Sequence, residues 1–229
     1  LFPAGVLLYR HPRGAHVLFD TGYAPATWRA GLSGFLYHLL LPAKIRADQS
    51  IAAQLLADGI DPETITHVVL SHLHADRIGG VRYFPGATFV LSKGMRQTLA
   101  DPVLKEGFLK RLLPSWFAQA KSLTVDDAGT DFAQGHDLFG DDSYRIISLP
   151  GHARGHLGAL VEGRVLLAGD ASWGRDLMDQ ADTVRKLPRA INDNWDQYTQ
   201  TIADLRHLES TGVRLCFSHD PYDHKELLS

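Results

Sequence analysis

The sequence is short of cysteine, of clustered like charge and of long apolar runs. Each absence removes a class of protein. A single cysteine, Cys216, excludes an internal disulfide and a thiolate cluster for metal, and within the apolar run Val213-Arg214-Leu215-Cys216-Phe217 it is expected as plain core. Lys and Arg number 23 against 26 Asp and Glu, a net charge of -3 with no basic stretch, which argues against a nucleic-acid partner. The longest apolar patch, Gly34-Phe35-Leu36-Tyr37-His38-Leu39-Leu40-Leu41, is too short to cross a bilayer, so no membrane role is expected. Nothing reads as a signal peptide, and cytoplasmic is the default expectation. The chain opens at Leu1 rather than methionine, so a leader upstream stays open.

What is present is an ordered alternation of strand and helix signals. With 229 residues, 45% of them hydrophobic, the chain is long enough for a large core and of normal size for one α/β domain spanning 1–229. Val6 to Tyr9 and His16 to Phe19 read as a hairpin around Pro12-Arg13-Gly14. Ser50 to Asp58 reads as a helix stopped at Gly59, and Asp61-Pro62-Glu63 starts a short helical turn. Ala87 to Leu91 reads as a strand and Ser92 to Ala100 as a helix. A further helix over Asp193 to Glu209 sets Trp195, Tyr198, Ile202 and Leu205 on one face.

Four segments share one grammar: an apolar run, then a polar donor at its C-terminal end, then a turn. His67-Val68-Val69-Leu70-Ser71 leads into His72-Leu73-His74-Ala75-Asp76. Tyr144 to Pro150 leads into Gly151-His152, Val165 to Ala168 into Gly169-Asp170, and Val213 to Ser218 into His219. Residues two apart on a strand face the same way, so an extended segment could carry His72 and His74 to one point. Imidazoles with a carboxylate suit zinc, whose bonds to nitrogen and oxygen are about 2.0–2.2 Å, and suit iron and manganese as well.

These motifs resemble those of the metallo-β-lactamase superfamily: His-x-His-x-Asp-His, then Gly-His, then Asp after a strand, then a late His. Here the pattern falls on His72, His74, Asp76, His152, Asp170 and His219. Val17-Leu18-Phe19-Asp20-Thr21-Gly22 is similar to the family's N-terminal strand and turn, so the resemblance covers roughly residues 5–225. It implies a four-layer αββα sandwich: two mixed β-sheets with helices on the outer faces and the metal site at an edge where strands end. It also implies a first metal position at His72, His74 and His152, a second at Asp76 and His219, and Asp170 bridging them. His156 is expected beside the ligands rather than among them. The other histidines, His11, His16, His38, His136, His207 and His224, are expected at the surface, and His67 facing solvent or a neighbouring strand.

One position departs from the pattern: Arg77 stands where the motif has its third histidine. Arginine stays protonated and offers no lone pair, so it cannot ligate, and its charge opposes a second cation. The sequence admits three arrangements. Arg77 turns away to Asp76 or a surface acid; or its guanidinium sits where the second ion would be and acts as a fixed cation toward a substrate carboxylate or oxyanion; or two ions bind in spite of it.

The resemblance implies a metal-dependent hydrolase, with zinc as the first expectation and one or two ions. Metal-activated water would attack a carbonyl, Arg77 or the metal would hold the oxyanion, and Asp76 would pass a proton to the leaving group. Ala53 to Gly80 looks most like the N-acyl homoserine lactonase and esterase branch. That branch implies an ester, lactone or related bond in a small, hydrophobic substrate. β-Lactam, thioester and glyoxalase-like chemistry rank lower, and the near-neutral charge argues against the ribonuclease branches. The alternative is a catalytically impaired ligand-binding or regulatory module. Two apolar segments near 27–44 and 101–121 read as insertions that pack on the body, border the site or support a homodimer.

Overall fold

The computed structural model describes residues 3–25, 31, 34–35, 39, 45–102, 107–127, 130–179 and 192–221. Within them the strands form two sheets, each drawn from one half of the chain. The first has the order β1 (Leu7–Arg10), β2 (His16–Phe19), β3 (His67–Val69), β4 (Thr88–Ser92), β5 (Ser122–Val125). β1 and β2 are the antiparallel hairpin, and β2 to β5 run parallel. The second sheet has the order β10 (Arg214–Phe217), β9 (Val165–Gly169), β8 (Leu157–Val161), β7 (Tyr144–Ser148), β6 (His136–Asp137). Only its β9–β10 pair is parallel. Both sheets are therefore mixed.

Strand composition explains the layering. β2 to β4 carry unbroken apolar runs because parallel strands are covered on both faces. Val17, Leu18, Phe19, Val68, Val69, Phe89, Val90 and Leu91 are all buried. In the second sheet alternate residues go to different cores. Ile146, Leu167 and Cys216 join the core shared with the first sheet. Ile147, Leu166, Leu215 and Phe217 face the other way, against Tyr198, Ile202 and Leu205. These last three come from the Trp195–Ser210 helix, which therefore forms an outer layer. Fully burying a side chain of this size contributes about 1.5–3 kcal/mol, so the two-sided pattern fixes register strongly.

The expected helices form with small shifts of boundary. Ser50 caps Ile51–Ala57 by accepting from the Ala53 N–H, and Gly59, at φ 74°, takes the left-handed conformation that ends it. Ser92 caps Lys93–Ala100 in the same way through Met95. The segment at 27–44 falls outside the described residues except at 31, 34, 35 and 39. Of the 101–121 segment, Leu109, Leu112 and Phe117 are buried in the main core, so this part packs on the body. No helix among the described residues is long and apolar enough to cross a membrane.

Candidate metal centre

The predicted donors converge at the C-terminal ends of β3, β7, β9 and β10. One local expectation is corrected: β3 stops at Val69, so strand alternation does not present His72 and His74. A loop does so instead. His74, extended at φ -66° and ψ 158°, is the residue before the short Ala75–Ile78 helix, whose first turn carries Asp76 and Arg77. That helix is held against the turn after β2. Thr21 donates its N–H (2.9 Å) and its hydroxyl (2.6 Å) to the Arg77 carbonyl, and the Gly79 N–H donates to Gly22 O at 3.0 Å. The Gly79-Gly80 pair permits this approach, since a Cβ on Gly79 would lie 2.1 Å from Ala24 N.

His72, His74, His152 and Asp170 form one group of donors whose ligand atoms all lie within 4.8 Å of one another. His74 Nδ1 is 3.3 Å from His152 Nε2, and Asp170 Oδ2 is 3.6 Å from both His72 Nε2 and His152 Nε2. Donors at the corners of a tetrahedron with bonds of about 2.0–2.1 Å stand roughly 3.3–3.5 Å apart, so the residues fit a four-coordinate ion. His72 Nε2 supports the same assignment, being fully buried without a hydrogen bond among the described residues.

The surrounding hydrogen bonds fix which ring nitrogen faces inward. The Ser71 hydroxyl donates to Asp20 Oδ2 at 2.8 Å. Having one hydrogen, it must accept from His72 Nδ1 at 3.0 Å, which leaves the Nε2 lone pair free. His152 Nδ1 pairs with the side-chain carbonyl of Asn192 at 3.0 Å, again freeing Nε2. Burial holds His72 well below its ordinary pKa and His152 below it too, which keeps both rings neutral as ligation requires.

The second expected position is built differently. Asp76, Asp170 and His219 do meet. Arg77, with no exposed surface, puts Nη2 among them: 2.8 Å from Asp76 Oδ2, 2.7 and 2.8 Å from the two Asp170 oxygens, and 2.8 Å from His219 Nε2. The guanidinium thus lies inside the triad and is not turned toward the surface. His219 Nδ1 donates to Pro3 O at 2.5 Å, so its Nε2 is the acceptor. Burial works against both charges. It is outweighed at Arg77 by Asp170, Asp76 and Asp20, which raise its pKa, and at Asp170 chiefly by the Arg77 charge, which holds the carboxyl well below its usual range.

His156 stands beside the candidate donors, its Nε2 accepting from the Asp170 N–H at 3.1 Å. Motif reading missed Asp20, Ser71, Asn192 and Pro3 as members of the site. A serine before the first motif histidine and an aspartate after β2 were the available signals for two of them, while Asn192 and Pro3 gave none. His11 is corrected from surface to interior: it is buried, its ring tilted against Phe139 with centroids 4.3 Å apart, and bonded to Asp141 at 2.9 Å. His67 is half-buried with its edge toward Phe139. His38 and His224 lie outside the described residues.

A model of the metallo-beta-lactamase superfamily matches residues 3–211. The N-acyl homoserine lactonase AttM of Azorhizobium caulinodans is 30% identical over 96% of this chain and 82% of its own length. Among solved structures, a point mutant of AiiA from B. thuringiensis, with N-decanoyl-L-homoserine bound at its active site, superposes with a TM-score of 0.73 at 19% identity, covering 96% of this chain and 82% of that one. AidC, a dizinc quorum-quenching lactonase, superposes at 0.63 with 20% identity over 95% of this chain and 72% of that one. At these identities the two structural matches speak to the fold.

Proposed function

The chain belongs to the metallo-beta-lactamase superfamily, and from that premise we propose that it is a metal-dependent hydrolase of an ester or lactone in a small molecule with an apolar portion. The observation that carries this is the His72, His74, His152 and Asp170 quartet, whose donor atoms all lie within 4.8 Å of one another and whose His72 and His152 rings keep an inward lone pair, a donor set that suits zinc. A divalent ion held by these residues would supply Lewis acidity and lower the pKa of a bound water toward ~7. The protein's own groups do the rest. Ser71 and Asn192 hold two imidazoles in the ligating tautomer. Asp76, 2.8 Å from Arg77, is the side chain placed to accept a proton and return it to the leaving oxygen. The Arg77 charge favours an oxyanion nearby.

The lactonase relatives support a lactone as substrate. The site's walls support the apolar portion. Trp173 stands perpendicular to His152 at 6.1 Å, and Phe108 bridges to the backbone of His74, the half-buried ligand. A panel of N-acyl homoserine lactones and aliphatic esters, assayed with added zinc, manganese or iron, tests the proposal. Metal-dependent turnover abolished by His74→Ala is the expected result. No turnover by protein that retains its metal overturns it, and favours a binding or regulatory module, the reading that Arg77 inside the second triad supports.

A further inference from the structure

We infer that Arg77 is the resident cation of the second metal position, so that this protein takes one divalent ion and not two. The inference rests on the proposed metal site for that first ion alone. Its basis is the way acceptors are distributed around the guanidinium. Nη2 carries two hydrogens, yet four acceptor atoms from Asp76, Asp170 and His219 lie 2.7–2.8 Å from it. Nε and Nη1, equally buried, have no hydrogen-bond partner among the described residues. A guanidinium placed for hydrogen bonding spreads its five donors over separate acceptors. Here two carboxylates and an imidazole converge on one nitrogen, as ligands converge on an ion.

Nor can the side chain readily leave. Its carbonyl is clamped twice by Thr21, and the following Gly79 is packed against the backbone of residues 22–24. Asp20, whose Oδ2 is 3.9 Å from Nε, is the further acid beside it. Swinging the guanidinium out to admit a second ion would take a fully buried, ionised group away from the Asp76, Asp170 and His219 atoms that surround it. Charge bookkeeping agrees. Asp20, Asp76 and Asp170 supply at most three negative charges, which one divalent ion with Arg77 already matches, and a second divalent ion would leave the cluster two positive. Asp170 then serves both cations: Oδ2 turns to His72 and His152 while Oδ1 bonds Arg77. This distinguishes the chain from dizinc AidC.

The test is a zinc count. Chelator-stripped protein is titrated with zinc(II), freed of excess by gel filtration and analysed for metal per chain, with circular dichroism to certify folding. Wild type is expected at one equivalent and Arg77→His at two, since the imidazole restores a donor and removes the charge. Arg77→Ala, which also vacates the triad, serves if the histidine variant does not fold, and the wild-type count is a test without either. Two equivalents on the wild type, or one on a folded Arg77→His protein, overturn the inference and leave the hydrolase proposal standing. None on the wild type overturns both.

Discussion

Replacing Asp20 by asparagine should damage metal binding without touching a ligand. Asp20 accepts from the Ser71 N–H at 2.7 Å through Oδ1 and from the Ser71 hydroxyl at 2.8 Å through Oδ2. Asparagine has one acceptor and one donor in their place. If its amide nitrogen faces the hydroxyl, Ser71 must turn its own hydrogen toward His72 Nδ1, and the His72 proton moves to Nε2, the atom that faces the metal position. If the amide is flipped, two donors face each other in a buried site at a cost of about 1–3 kcal/mol in stability. Loss of such an orienting partner typically weakens metal affinity 10–100-fold, or about 1.4–2.7 kcal/mol. The assay is competition against a chromophoric zinc chelator at pH 8. Burial raises Asp20 to about 7, so at that pH the wild-type carboxyl is mostly ionised. Ser71→Ala, which removes the enforced proton along with the hydrogen bond, should lose less than Asp20→Asn, and the double variant should return to the Ser71→Ala level. Equal zinc affinity in Asp20→Asn and wild type would refute the relay.

Gly79→Ala should destabilise the protein by about 3 kcal/mol or more, because the new Cβ meets backbone atoms that cannot yield. Gly59→Ala, left-handed but with nothing within 4 Å of its Cβ, should cost only about 1 kcal/mol; equal melting points for the two variants would contradict the packing argument. Acid should unfold the metal-free protein through His156, which burial pushes down to about 3. Its folded pKa lies below the unfolded value of about 6.5, so the stability tied to its neutral form is present above pH ~6.5 and is lost as pH falls toward 3. Urea midpoints measured from pH 7.5 to 4.5 should therefore fall less steeply for His156→Gln, whose carbonyl can still accept from the Asp170 N–H. Identical slopes would assign the acid sensitivity elsewhere.

The parts of the fold written in local pattern were the parts legible from sequence. Apolar runs such as Val17-Leu18-Phe19 and Tyr144-Arg145-Ile146-Ile147 declare strands because burial demands them. Ser50, Ser92 and Gly59 declare helix ends because orphan backbone groups demand caps. The spacing of donors after strands pointed to His72, His74, His152, Asp170 and His219, since a sheet gathers the ends of its strands. The state of Arg77 was not legible. Three arrangements satisfied the sequence, and the choice among them depends on Asp170 and His219, 93 and 142 residues away, and on the clamp by Thr21. The proton relay was hidden for the same reason: Asp20 reads as part of a turn until the structure sets Ser71 between it and His72. His11 looked like a surface residue because nothing nearby in sequence announces Phe139 and Asp141.

The division of the two sheets gives the ion a further meaning. Residues 7–125 supply one sheet with His72 and His74, and residues 136–217 supply the other with His152 and Asp170. A cut in the 126–135 connection would leave two fragments, each holding half of the candidate donor quartet. Rejoining them and loading the metal would then be one thermodynamic event seen from two sides, each tightening the other by the same factor. A bound ion would then be the noncovalent cross-link of a natural two-fragment assembly whose fragments happen to share a chain.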